Sequence, residues 1–262
     1  MKKSVEQKEL DKLLKQETRL HDKKVKQEES FLNQFLETKV PVTLQSKLES
    51  AFFCAFKLVF NKGTAVIEKT YNKTKIQQDF DIKSYVADIK QNRKSIKSFQ
   101  KGNQTSLNEF LSGASGVTLG ALGIGLPDIP LFISFVLKSV YQISLNYGYD
   151  YTLDKEKAFI LNIIKASLLK GESFQDADRK IEYFIEHGVF EESLTEDENL
   201  RNVSCILSKE LLYTKFLQGI PVVGAVGGSY DYIYIKRLTK YAKLKYYKRF
   251  LQDRQKRKAK MK

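Results

Sequence analysis

Two aspartates are the residues whose setting could support chemistry: Asp128, in the run Leu126-Pro-Asp-Ile-Pro130, and Asp231, between Tyr230 and Tyr232. A carboxylate held among apolar neighbours has its charged form disfavoured and its pKa raised, which would suit acid–base work on a lipid. Structural roles compete with that reading and are expected here. Asp128 is placed to N-cap the helix that follows it, and Asp231 to pair with Lys236, Arg237 or Lys138 inside a core. His21 sits among charges on a surface helix. His187, just before Gly188, suits the last turn of a helix, where it meets free carbonyls and the negative dipole end. Cys54 and Cys205 lie far apart on apolar helical stretches, so buried free thiols are expected rather than a disulfide or a metal site. Gly123-Ile-Gly-Leu-Pro-Asp128 begins like a dinucleotide fingerprint, but Pro and Asp occupy its later positions and no strand precedes it. There is no phosphate loop, zincin helix or nucleophile elbow either. The expectation is a non-enzymatic protein with no catalytic residue, no metal and no cofactor.

The elements that would position these residues are helices. Four prolines, no tryptophan and few hairpin dipeptides argue against an all-β chain. Nine of the fourteen glycines fall in two apolar blocks, residues 113–125 and 219–228. Gly113, Gly116, Gly120 and Gly123 share one arc of a helix, as Gly224, Gly227 and Gly228 begin to do in the second block. Bare glycine faces let helices approach backbone to backbone. Pro127, Asp128 and Pro130 form a turn, and Pro221 breaks the second block. The expected fold is an all-α, multi-helix bundle around a central glycine-rich hydrophobic hairpin, its second arm running from about Pro130 to Tyr147. Phe110 to Pro127 is an uncharged run of eighteen, near the lower limit of about 17–25 for a span. Lys138 lies well inside the second arm, and a lysine at mid-bilayer costs about 2.5–3.5 kcal/mol. A buried helical pair is therefore expected, with bilayer insertion of the 110–147 hairpin as the alternative.

Flanking helices follow from periodicity and caps. Residues 1–38 read as a charged, solvated N-terminal helix, 39–252 as a helical domain and 253–262 as a basic tail. Thr43 would cap a helix over Leu44 to Asn61, broken by Gly63. Asp81 would open another to about Phe99, its Ile82, Tyr85, Val86 and Ile89 at helical spacing. Ser106 with Glu109, and Thr195 with Glu198, form capping boxes. Asp154 would start a strongly apolar helix.

Charge is unevenly spread over a chain of net +14. Lys236 to Lys262 holds thirteen Lys or Arg against Asp253 alone, whereas Glu172 to Glu198 holds ten acids against Arg179 and Lys180. Tyr230, Tyr234, Leu238, Tyr241, Leu244, Tyr247 and Leu251 form a stripe. Lys236, Arg237, Lys240, Lys243, Lys245, Lys248 and Arg249 are then expected to face an anionic membrane surface or a membrane complex. Each contributes about 1 kcal/mol near acidic lipid. Nucleic acid is disfavoured as a partner, because the aromatics are not interleaved as a stacking platform and no nucleic-acid motif is present. A merely solvating tail is the remaining alternative. An acyl chain held between the glycine helices is a further expected ligand. The start Met-Lys-Lys lacks an apolar h-region, which suggests a cytoplasmic protein peripheral at the inner face of the cell membrane.

Four segments carry a resemblance to a known family: Lys47-Leu-Glu-Ser-Ala-Phe-Phe53, Lys62-Gly63 through Tyr71-Asn72, the block ending Leu126-Pro-Asp-Ile-Pro130, and Ile220-Pro-Val-Val-Gly-Ala-Val-Gly-Gly228. From about Val40 to Leu251 the chain resembles the EcsC family. Where the family continues with Asn, this chain has Asp231. The family takes its name from a gene beside an ABC-type exporter's ATPase and permease, so the resemblance implies a cytoplasmic or membrane-associated accessory. It supplies no catalytic residues.

Overall fold

The computed structural model describes residues 3–26, 40–103, 128–217 and 228–260. All regular structure among them is helical. In chain order the helices are α1 (Val5–Val25), α2 (Val42–Leu58), a π-helical turn (Val59–Gly63), α3 (Thr64–Glu68), α4 (Lys73–Lys90), α5 (Arg93–Lys97) and a 3-10 turn (Ser98–Asn103). They continue with α6 (Asp128–Asn146), α7 (Asp154–Leu168), α8 (Gly171–His187), α9 (Glu196–Leu217) and α10 (Gly228–Lys260). The first hairpin arm, with Gly113, Gly116, Gly120, Gly123, Pro127 and the box at Ser106, lies outside the described residues. So do Gly224, Gly227 and Pro221.

The 33-residue α10 is the axis of the bundle. It packs against α1, α6, α7 and α8, and around Tyr241, Ala242, Tyr246, Tyr247 and Leu251 it is buried on nearly every side. The second internal helix is α6, buried at every residue from 136 to 147. Pro130 sits in its first turn, where no backbone N–H is needed. The helix is described from Asp128 onward. Among the described residues, two stretches are long and apolar enough to cross a membrane, Val42–Glu68 and Ile129–Asn146. The second is 78% buried inside the fold, and its Asn146 donates 2.7 Å to the Phe99 carbonyl. That placement is what a core helix requires. At its end Gly148 takes φ +80°, and a Cβ there would lie 2.2 Å from Phe80 Cζ. Only glycine lets the chain pass under that ring.

Several boundaries correct the expectations. Pro41, not Thr43, precedes α2. Gly63 keeps right-handed helical angles, so the extra residue of the π turn is absorbed without a break. Asn72 opens α4 by accepting from the Lys75 amide at 2.8 Å, nine residues before Asp81. The buried face of that helix is consequently Ile76, Phe80 and Ala87 against α6, while Ile82, Tyr85 and Ile89 are more than 60% exposed. Cys54 is exposed and Cys205 half-buried, both as free thiols. The expected caps at Thr195 and His187 are present, and α7 starts at Asp154 as expected, with Leu153 before it and no side-chain cap. Thr195 and Glu198 exchange hydrogen bonds, 2.8 Å from the Thr195 amide and 3.3 Å from the Glu198 amide. Gly188 closes α8 at φ +80°.

The charged N-terminal helix is not solvated. Glu6, Glu9, Leu10, Leu13 and Glu17 of α1 are buried, and α1 lies along α10. Nor do residues 253–260 form a loose tail: α10 continues through them, and Arg254 is buried.

Candidate functional site

The cations of α10 divide into two arcs. At about 100° per residue, Lys236, Lys240 and Lys243 fall together, and Lys245, Lys248 and Arg249 fall on the opposite side. The second arc is internal, which corrects its expected role as a lipid-facing surface. Lys245 is 0% exposed and continues the face of Tyr234, Leu238 and Tyr241 into the core. Its ammonium meets three carboxylates, Glu17 at 2.5 Å, Asp178 at 2.7 Å and Glu182 at 2.6 Å. Lys248 bridges Glu17 at 2.6 Å and Glu182 at 2.5 Å, and Tyr241 donates to Asp178. Burial alone would pull Lys245 down, but Glu182, Asp178 and Glu17 outweigh it and hold its pKa above the ordinary lysine value. Burial pushes Glu182 up, and the fields of Lys245 and Lys248 carry it below the usual carboxylate value.

One turn further on, Arg249 pairs with Glu156 at 2.8 Å and lies 3.9 Å over the Tyr149 ring. Tyr246 donates to the other Glu156 oxygen at 2.6 Å. Arg254 reaches Asp88 at 2.5 Å, and Lys258 reaches Glu6 at 2.6 Å. Acids from α1, α4, α7 and α8 thus neutralise the C-terminal basic helix from within.

The outer arc faces a cleft of about 750 Å3 between α1, the α7–α8 link and α10. Arg19, Lys23 and Lys24 come from α1, Lys170 from the link, and Arg237, Lys240 and Lys243 from α10; no carboxylate is among the described residues lining it. Its floor is apolar, made by Leu13, Leu20, Leu168 and Leu244 with Tyr147, Tyr241 and Tyr247. Arg19, Lys23, Arg237 and Lys240 are exposed and have no ion-pair partner among the described residues. Lys170 is held by Glu210 at 3.5 Å. Lys24 donates to the carbonyls of Ala166, Ser167 and Leu169 at 2.9, 2.7 and 2.9 Å, closing the C-terminus of α7 from another helix. Burial, with Arg237 beside it, pulls the Lys24 ammonium down to about 7. Tyr247 is 1% exposed, and its hydroxyl has no hydrogen-bond partner among the described residues.

Of the expected binding residues, Lys236, Arg237, Lys240 and Lys243 therefore reach the surface and Lys245, Lys248 and Arg249 do not. Lys138 is buried and donates to the Thr70 carbonyl at 3.2 Å. The Asp128 and Asp231 side chains lie outside the described residues, as do any contacts of theirs. Arg19, Lys23 and Lys24 were not expected at a site; the signal was their spacing on one side of α1 next to Leu13 and Leu20. Among the described residues no cluster of His, Cys, Asp and Glu could hold a metal ion.

The family model described as the EcsC protein family matches residues 4–251, taking in α1 as well as the region from Val40 onward. No curated protein and no solved structure matches the chain.

Proposed function

The chain belongs to the EcsC protein family, and from that premise we propose that it is a non-enzymatic helical protein that docks peripherally on an anionic membrane face. The outer arc of α10 and the facing side of α1 supply the contact. One observation carries the reading: four exposed cations, Arg19, Lys23, Arg237 and Lys240, stand together at one cleft with no carboxylate among the described residues to neutralise them. At about 1 kcal/mol per cation near acidic lipid, four of them attract a folded domain reversibly. Accessory action at an ABC-type exporter of the same membrane extends this proposal, since the family takes its name from such a gene neighbourhood.

Vesicle sedimentation tests the docking. The protein should pellet with vesicles rich in phosphatidylserine and stay in solution with phosphatidylcholine vesicles, and raised salt should release it. Arg237→Glu with Lys240→Glu should abolish pelleting. Equal binding to both vesicle types, or an unaffected double variant, refutes electrostatic docking. Insertion of the 110–147 hairpin remains the integral alternative, and retention after a carbonate wash would select it. The tight packing of α6 between α2, α4 and α10 supports the peripheral reading. A lipid-acting enzyme using Asp128 or Asp231 has no described side-chain geometry behind it.

A further inference from the structure

We infer that the cleft between α1 and α10 is a binding site for one single-chain amphiphile with a phosphate headgroup. The inference deepens the docking proposal, because Arg237 and Lys240 serve both. Three features of the cleft point the same way and come from different parts of its wall. The rim is cationic from three directions, and it presents more positive charge than one carboxylate would neutralise; a phosphate carries about −1.5 to −2 and takes the planar donor fork of an arginine. The floor is apolar, which a free inorganic anion would not require and an alkyl chain would. The volume of about 750 Å3 falls in the range of roughly 300–1,000 Å3 typical of small-molecule sites.

Lys24 adds to the cationic wall: its ammonium donates to three backbone carbonyls, with the rings of Phe174 and Tyr241 packed against it.

The other two strong candidates carry less. The inner ion-pair cluster of Lys245 is closed and fully occupied by its own partners, and the exposed row Ile82, Tyr85 and Ile89 has nothing that identifies what covers it.

Calorimetric titration of the full chain with dodecyl phosphate, below its aggregation concentration, tests the site. One molecule should bind per chain, at least 10-fold more tightly than inorganic phosphate, while dodecyl maltoside should not bind. Arg237→Glu with Lys240→Glu should weaken dodecyl phosphate by 10-fold or more. Leu20→Ser, at a half-exposed floor position, should weaken the alkyl phosphate and leave inorganic phosphate unchanged. Equal affinity for dodecyl phosphate and inorganic phosphate overturns the amphiphile, and equal affinity for the maltoside overturns the charged head. Leu20→Ser should sediment with acidic vesicles as the native chain does. Vesicle binding without dodecyl phosphate binding therefore sinks this inference alone, and the converse sinks the docking alone.

Discussion

Replacing Lys245 by Met tests whether α10 is held by charge or by packing. The two side chains are similar in length and volume, so the cavity term is small. What changes is electrostatic. Two ammonium groups, of Lys245 and Lys248, currently face three carboxylates, and the substitution leaves Lys248 alone against Glu17, Asp178 and Glu182. Asp178 keeps only its hydrogen bond from Tyr241. Breaking a buried ion pair by removing one partner costs about 3–5 kcal/mol, because a desolvated charge is stranded. That is a large share of the 5–15 kcal/mol typical of a whole domain, and corresponds to a fall of roughly 6–20 °C in Tm. Urea unfolding followed by circular dichroism reads it directly. The electrostatic account also predicts recovery: adding Glu17→Gln and Asp178→Asn removes the stranded charges and should restore most of the loss. A loss below about 1 kcal/mol, the value of an exposed pair, or a triple variant no better than the single one, refutes the reasoning.

Two further outcomes follow from the same geometry. Gly148→Ala forces φ +80° on a residue with a Cβ, at about 1–2 kcal/mol, and displaces Phe80 from its contacts with Phe99 and Phe250, at about 1–3 kcal/mol more; a denaturation midpoint shifted by less than 1 kcal/mol would show that the ring moves freely. On the acid side, Glu6 is pushed up by burial but carried lower overall by Lys258, its own backbone amide and Arg254, and Glu182 is likewise depressed. Depressed carboxylates stabilise the fold above their unfolded value of about 4.3, and that stability is lost as pH falls through their folded values. Stability should therefore hold near neutrality and decline below about pH 4.5. Glu182→Gln should flatten that decline, and a profile parallel to the native one would remove Glu182 from the account. Lys245, raised instead, should lose its contribution only as pH climbs past the ordinary lysine value of about 10.4.

The all-α class and the capping box at Thr195 are legible in the sequence, because 3.6-residue periodicity and caps are local signals. The role of α10 is not, although part of the information is present. Lys245 lies four residues after Tyr241, on its face, so the apolar stripe contains a cation. A cation on a buried face demands buried acids, and Asp178 and Glu182, four apart on α8, are spaced to meet it together. What remained invisible was that α1 would bring Glu17 to the same point, since that pairing joins residues 228 positions apart. Similarly, Asp81 reads as a cap in the sequence, but Asn72 starts α4 nine residues earlier.

The charge asymmetry of the sequence is for the most part an internal matter, and this sharpens what remains for function. Once Glu6, Glu17, Glu156, Asp178 and Glu182 are paired with the inner arc and its continuation to Lys258, Arg19, Lys23, Arg237 and Lys240 stand at the cleft without an ion-pair partner among the described residues. Their position is fixed because the opposite side of the same helix is clamped by ion pairs from α1, α7 and α8. Stability and binding should consequently separate by arc. Outer substitutions such as Arg237→Glu and Lys240→Glu touch no ion pair among the described residues and should shift stability by no more than about 0.5 kcal/mol. Inner substitutions should destabilise first and weaken binding only as α10 loosens. A chain whose outer charge reversals unfold it would mean that the cleft cations hold the bundle together, and that they do not await a ligand.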